Sequence, residues 1–75
     1  MTAPTIRTEL AAAVRAVNAA YNRLSENART QIDPRTDPVE IEVDAAVLAG
    51  DRDRAMDAIR AWRGYWIDRI ERVAR

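Results

Sequence analysis

Two breaks divide this chain into three segments and thereby limit what it can fold into. The first is the stretch 33–38, where each of two prolines disfavours a helical conformation at the residue before it. The second is Gly50-Asp51, because glycine suits the left-handed position that ends a helix and aspartate is a good N-cap for the next helix. We therefore expect residues 1–75 to form a single small domain of three elements.

The first segment has helical periodicity. Its apolar side chains follow one another at alternating spacings of 4 and 3, which places them in one narrow stripe of a helix. Seven alanines in the same segment favour helix and allow close approach of a neighbour. The pattern predicts one helix over about residues 5–31, followed by a loop over 32–37. The stripe consists of Leu10, Val14, Val17, Tyr21, Leu24 and Ala28, with Ile6, Ala13 and Ala20 beside it.

The second segment permits two interpretations. Residues 39–44 alternate between apolar and acidic side chains, a period typical of a strand, but no other segment alternates and a lone strand would have no partner. The same segment also carries a helix-start signal, with Asp37 as N-cap, Pro38 at the first helical position and Glu40 three residues after the cap. We predict a short helix over about 38–49.

The third segment predicts a helix over about 52–73. Its apolar stripe continues across Gly64, so we expect one helix despite a cost of about 1 kcal/mol for glycine inside it. The fold class is therefore all-α, with two long antiparallel amphipathic helices and a short acidic helix between them. The stripe consists of Ala55, Ile59, Trp62, Trp66, Ile70 and Val73, flanked by Met56 and Ile67.

The residue types that the chain lacks exclude most catalytic chemistry. It has no Cys, His, Lys or Phe, which removes the usual zinc sites, Cys or His nucleophiles and bases, disulfides and Schiff-base lysines. We predict no enzyme activity, no catalytic or metal-ligating residues and no cofactor. The longest apolar runs are about five residues and no signal-peptide pattern is present, so we expect a cytoplasmic protein that does not enter the membrane.

The net charge of zero conceals an uneven distribution. Residues 1–36 carry +2, residues 37–51 carry −5 with no basic residue, and residues 52–75 carry +3. Within the acidic helix, Glu40 and Asp44 share one face. Either this helix lies across the basic helices of its own molecule, or it presents its acidic face to a partner.

The third helix holds a cluster of residue types that dominate binding energy at protein interfaces, namely Trp, Tyr and Arg. Trp62 and Trp66 lie on the apolar stripe, Tyr65 points about 80° away from it, and Arg63 lies within it. The two Trp residues are either the bulk of a core that lacks Phe or, together with Tyr65, Arg63 and Arg69, an interface patch.

A chain this short gains limited stability from its own core, which favours association with a further chain. The leading hypothesis is a small protein–protein interaction module, such as an adaptor, inhibitor or accessory subunit. Its partner would be another protein or a second copy, in a homodimer through Leu10, Val17, Trp66 and Ile70. The alternative is a helical nucleic-acid-binding regulator, which zero net charge disfavours. Its contacts would be Arg7, Arg15, Asn18, Asn22 and Arg29.

Overall fold

The first helix is shorter than its periodicity predicts. A computed structural model of the chain describes residues 5–32 and 38–74, and in it helix α1 spans Ile6–Asn22. Thr5 is its N-cap: the Thr5 hydroxyl accepts the backbone N–H of Thr8 at 3.1 Å, and the Thr8 hydroxyl accepts the N–H of Thr5 at 2.9 Å. This reciprocal capping box satisfies two donors that would otherwise lack partners.

The prediction of one continuous helix over 5–31 is wrong. The chain leaves the helical path after Asn22 and begins a second, single-turn helix, α2, at Glu26–Arg29. Ser25 causes the restart, because its hydroxyl accepts the N–H of Ala28 at 3.1 Å and so offers the backbone an N-cap. The turn still delivers Leu24 to the core, where the side chain is 8% exposed.

The other helices agree with the predictions. Helix α3 spans Pro38–Ala49 and helix α4 spans Arg52–Ala74, so the strand interpretation of 39–44 is excluded and α4 continues through Gly64. Gly50 has φ of +70°, the left-handed conformation that ends α3. Asp51 caps α4 by accepting the N–H of Arg54 at 3.1 Å. The predicted cap Asp37 and all of the predicted loop except Ile32 lie outside the described residues.

Helix α4 is the element that holds the others together. Both α1 and α3 pack against it, whereas α1 and α3 hardly touch each other. One buried cluster joins all three helices, and a second cluster joins α4 to the end of α1 and the α2 segment. The first cluster contains Ala13, Val43, Ala46, Ala55, Ala58 and Ile59, and the second contains Val17, Leu24 and Ile70 with Trp62, Trp66 and Ile67 packed against them.

These clusters confirm the all-α class with two long helices and a shorter one, but they give the long helices a different relative direction. The early part of α1 packs on the early part of α4, at Ala13 and Ile59, and the late part of each meets at Val17 and Ile70. Helices α1 and α4 are therefore parallel, not antiparallel. The reason is that α3 returns the chain along their length, so the order is up, down, up.

The stripe of α1 is also rotated from the predicted one. Ala13 and Val17 are buried, while Val14 and Tyr21 are each 38% exposed. The small side chains of Ala13, Ala46, Ala55 and Ala58 share one cluster, which lets the helices approach closely on that side. The face of α1 that packs on α4 is accordingly centred nearer to Ala13 than to Val14.

Candidate functional site

The exposed large apolar side chains of the described residues all lie on α1 and α3. Helix α4 is the longest of the described helices and holds both Trp residues, yet none of the exposed large apolar side chains belongs to it. Helices α1 and α3 both pack mainly on α4. The exposed apolar side chains of α3 lie on its far side or at its edge, and those of α1 lie at the edge of its buried face. The exposed residues are Val14, Tyr21, Ile41, Val47 and Leu48.

Helix α3 is apolar on two opposite sides. Val43 and Ala46 are buried against the rest of the molecule, while Ile41 and Leu48 lie on the opposite side of the helix and are 61% and 88% exposed. A helix that is apolar all round is ordinarily buried all round. Residues 5–32 and 38–74 cover only one side of α3. Asp44 is exposed next to this outer side.

We call the surface that α1 and α3 present away from α4 the open face. On α1 it is formed by exposed side chains that lie away from the buried Ala13 and Val17, and on α3 by those that lie away from Val43 and Ala46. It comprises Arg7, Ala11, Val14, Arg15, Asn18 and Tyr21 of α1 and Ile41, Asp44, Val47 and Leu48 of α3, with the half-buried Glu40 at its edge.

One acid of α3 is committed within the chain. The Glu42 carboxylate accepts two hydrogen bonds from Arg54 of α4, at 2.6 Å from Nε and 3.1 Å from Nη2. These hydrogen bonds lower the pKa of Glu42 below its ordinary value and raise the pKa of Arg54. Glu40 and Asp44 have no ion-pair partner within 5–32 and 38–74. The flank of α3 that holds Glu42 is therefore bound to α4, whereas the acids of the other flank are not paired within the described residues.

A cavity of about 350 Å³ is lined by side chains of α1, the α2 segment and α4, with Glu40 of α3 at its edge. It brings together residues that the sequence assigned to different hypotheses: Glu40, Trp62 and Trp66 from the predicted interface, and Asn18 and Arg29 from the predicted nucleic-acid contacts. The indole N–H of Trp66 is buried with no hydrogen-bond partner in the described residues. The remaining lining residues are Val17, Tyr21, Ile32 and Ile70.

Arg29 links α2 to the end of α1. Its Nη2 donates to the backbone carbonyl of Asn22 at 2.9 Å, and its guanidinium carbon lies 5.2 Å from the centre of the Tyr21 ring. The Nε of Arg29 is buried without a partner in the part of the chain that the structure describes. Of the predicted nucleic-acid contacts, Arg7, Arg15, Asn18 and Asn22 are exposed on α1, whereas Arg29 is half-buried and held by these local contacts.

The predicted interface patch on α4 is divided. Trp66 and Tyr65 meet edge to face, with ring centres 5.8 Å apart, and the Arg69 guanidinium lies over both rings at 5.6 and 5.0 Å. Trp62 is half-buried and packs against both core clusters. Arg63 is exposed on another side of α4, beside Ile67 and the alanines of α1. These side chains therefore do not form one exposed patch.

The residues predicted to form a homodimer interface lie mostly inside the chain. Val17 and Ile70 are buried in the second cluster, Leu10 packs against the first, and Trp66 is half-buried. Sequence reasoning missed Ile41, Val47 and Leu48. For Ile41 the signal was present in the period-two alternation of 39–44, which on a helix distributes apolar residues around the axis; for Val47 and Leu48 it was the apolar run 45–49, which is too long to fit one side of a helix.

Neither a metal site nor a membrane span is found where the structure describes the chain. No group of three His, Cys, Asp or Glu side chains in the described ranges could hold a metal ion. None of the described helices is both long and apolar enough to cross a bilayer. The chain matches no protein-family model, no curated protein and no solved structure.

Proposed function

We propose that this protein is a non-catalytic helical protein–protein interaction module that binds through its open face. The observation that carries the proposal is the exposure of Ile41 and Leu48, on the side of α3 opposite its buried side chains. Complete burial of an aliphatic side chain of this size contributes about 1.5–3 kcal/mol, so covering both by a partner is a substantial gain.

The charges on the open face support the same proposal. Asp44 lies beside the exposed apolar side chains of α3, and the half-buried Glu40 lines the cavity at the start of that helix. On α1, Arg7 and Arg15 are exposed around Val14. Charged groups at the rim of an apolar surface select partners and orient them, while the apolar centre supplies most of the affinity.

The nucleic-acid hypothesis has no comparable observation in its favour. Arg7 and Arg15 remain available as phosphate contacts, but Arg29 is engaged with Asn22 and Tyr21. The same surface also exposes Asp44, which would repel a phosphate backbone. We expect no binding to mixed duplex DNA even at low salt, where phosphate contacts are strongest.

Site-specific photo-cross-linking in the native cells tests the proposal. A photo-reactive amino acid in place of Leu48 should give a discrete protein adduct, identified by mass spectrometry. The matched control carries the same amino acid in place of Ala61, which is exposed on α4, and should give none. If neither position gives an adduct, or if both give the same adducts, the open face is not the interaction surface.

A further inference from the structure

We infer that the open face binds a second copy of this chain, with α1 of each copy against α3 of the other around a two-fold axis. This inference rests on the proposed function and names the partner. A two-fold interface uses the same surface on both subunits, so that surface must be complementary to itself. The open face meets this condition because one of its two helices is basic where the other is acidic.

The charges are complementary only in the crossed arrangement. Arg15 lies on the side of α1 opposite its buried residues, and Asp44 lies on the exposed side of α3. Neither has an ion-pair partner among the residues that the structure describes. Pairing α3 with α3 would place Asp44 near its own copy, and pairing α1 with α1 would do the same for Arg15. Like charges in contact oppose association.

The positions of the helices along the molecule agree with this pairing. Glu40 borders the same cavity as Asn18, and Ala46 belongs to the same core cluster as Ala13. Helices α3 and α1 are therefore antiparallel, so residue numbers rise along α3 in the direction in which they fall along α1. The stretch of α3 from Glu40 to Ala46 therefore runs alongside the stretch of α1 from Asn18 back to Ala13.

Asp44 and Arg15 lie within these two stretches, and the proposed dimer sets them opposite each other. Leu48, one turn further along α3, then falls opposite the earlier turn of α1 that holds Ala11. A two-fold axis parallel to the helices preserves these heights and places α1 of one copy over α3 of the other. Each copy then offers Asp44 to Arg15 of its partner, and the large Leu48 side chain meets the small Ala11. Alternation of large and small residues lets facing helices interlock.

The available surface is sufficient for a specific dimer. A standard interface buries about 800 Å² on each partner. The chain exposes 5512 Å² in total, so such an interface would cover roughly a seventh of it. The outer sides of two helices, with 17 and 12 residues, can supply this area.

Sedimentation equilibrium of the full chain tests the inference through charge reversal. We expect the wild type to dimerise with a Kd below about 100 µM. The Arg15→Glu and Asp44→Arg variants should each raise Kd roughly tenfold, because the altered pair occurs twice per dimer. An equimolar mixture of the two variants should recover the wild-type Kd, since each pair in that heterodimer is again of opposite charge. The variant Asp57→Arg, at an exposed position on α4, is the matched control and should leave Kd unchanged.

A substitution of the apolar centre gives a second readout. Leu48→Asp should raise Kd at least 100-fold while circular dichroism stays that of the wild type, because this side chain is 88% exposed in the monomer. Ala61→Asp on α4 should change neither. Single charge reversals that leave Kd within about twofold of the wild type, or a mixture that fails to recover dimerisation, would overturn the crossed pairing.

The two proposals fail separately. A wild-type chain that stays monomeric at about 100 µM, together with a cross-link from position 48 to a different protein, overturns the second copy as partner and leaves the interaction surface standing. A monomer that gives no cross-link from position 48 refutes both. A cross-link from position 48 to another copy of this chain supports both.

Discussion

Truncating Ile59 and truncating Leu48 should affect stability very differently, although both substitutions remove most of an aliphatic side chain. Ile59 is 1% exposed, and its core cluster is otherwise built largely from alanines. Alanine side chains cannot move into the space that Ile59→Ala would leave. Isoleucine-to-alanine changes cost about 2–5 kcal/mol, and poor collapse of the cavity places this one at about 3–4 kcal/mol.

A loss of this size is large for so small a protein. Chains of 75 residues have a free energy of unfolding of about 4–11 kcal/mol. At about 4–8 °C per kcal/mol, Ile59→Ala should lower Tm by about 12–32 °C. Urea denaturation followed by circular dichroism would give the change in free energy directly, with the slope against urea unchanged.

Leu48→Ala is the matched variant, and protein concentration separates its two possible effects. At a concentration well below the dimer Kd, it should change the free energy of unfolding by less than about 0.5 kcal/mol, because Leu48 is 88% exposed. Above Kd it should destabilise, since association stabilises by mass action. Ile59→Ala should destabilise at both concentrations. A loss of more than 2 kcal/mol for Leu48→Ala at low concentration, on the order of a core truncation, would refute the placement of this side chain.

Further variants test the elements that set the fold. Gly50→Ala should cost about 1 kcal/mol in chemical denaturation because φ is +70° there, whereas Gly64→Ala should stabilise by about 0.5–1 kcal/mol because that helical site has open space for a Cβ atom. Ser25→Ala should cost about 1 kcal/mol through the lost N-cap of α2, and Ser25→Asp should retain most of that stability. The pKa of Glu42 is lower in the folded state than its ordinary 4.5, so the stabilisation it provides is present above pH 4.5 and is lost as pH falls through the folded pKa. An acid titration of stability should therefore be flatter below pH 4.5 for Glu42→Gln, and equal slopes would contradict a contribution from the pair with Arg54.

The helix ends that were predicted correctly depend on local chemistry. Gly50 ends α3 because it adopts the left-handed conformation. Asp51 begins α4 because its carboxylate accepts the N–H of Arg54, three residues later. The break after Asn22 escaped prediction for the opposite reason. Leu24 and Ala28 keep a helical spacing of four across it, so the apolar period continues although the helix does not. The Ser25 N-cap was the local signal that a helix starts there.

The relative direction of α1 and α4 and the rotation of the α1 stripe could not be obtained from periodicity. A helical wheel shows which residues share a side but not which neighbour covers that side. The alanine-rich contact among Ala13, Ala46 and Ala58 draws the helices together on a side that large residues alone do not identify. Val14 and Tyr21 are left outside for that reason, and they become part of the open face.

The acids of α3 show why the candidate site needed the tertiary structure. Glu42 and Asp44 have the same charge, similar size and the same preference for a helix surface. The sequence places them on different faces of α3 but does not indicate which face another helix covers. Packing on α4 separates them, because it turns Glu42 toward Arg54 and leaves Asp44 exposed. The first interpretation of the acidic helix, closing the monomer, applies to the flank with Glu42, and the proposed contact with a partner concerns the flank with Asp44. Reversing Asp44 should act on association, whereas neutralising Glu42 should act on folding.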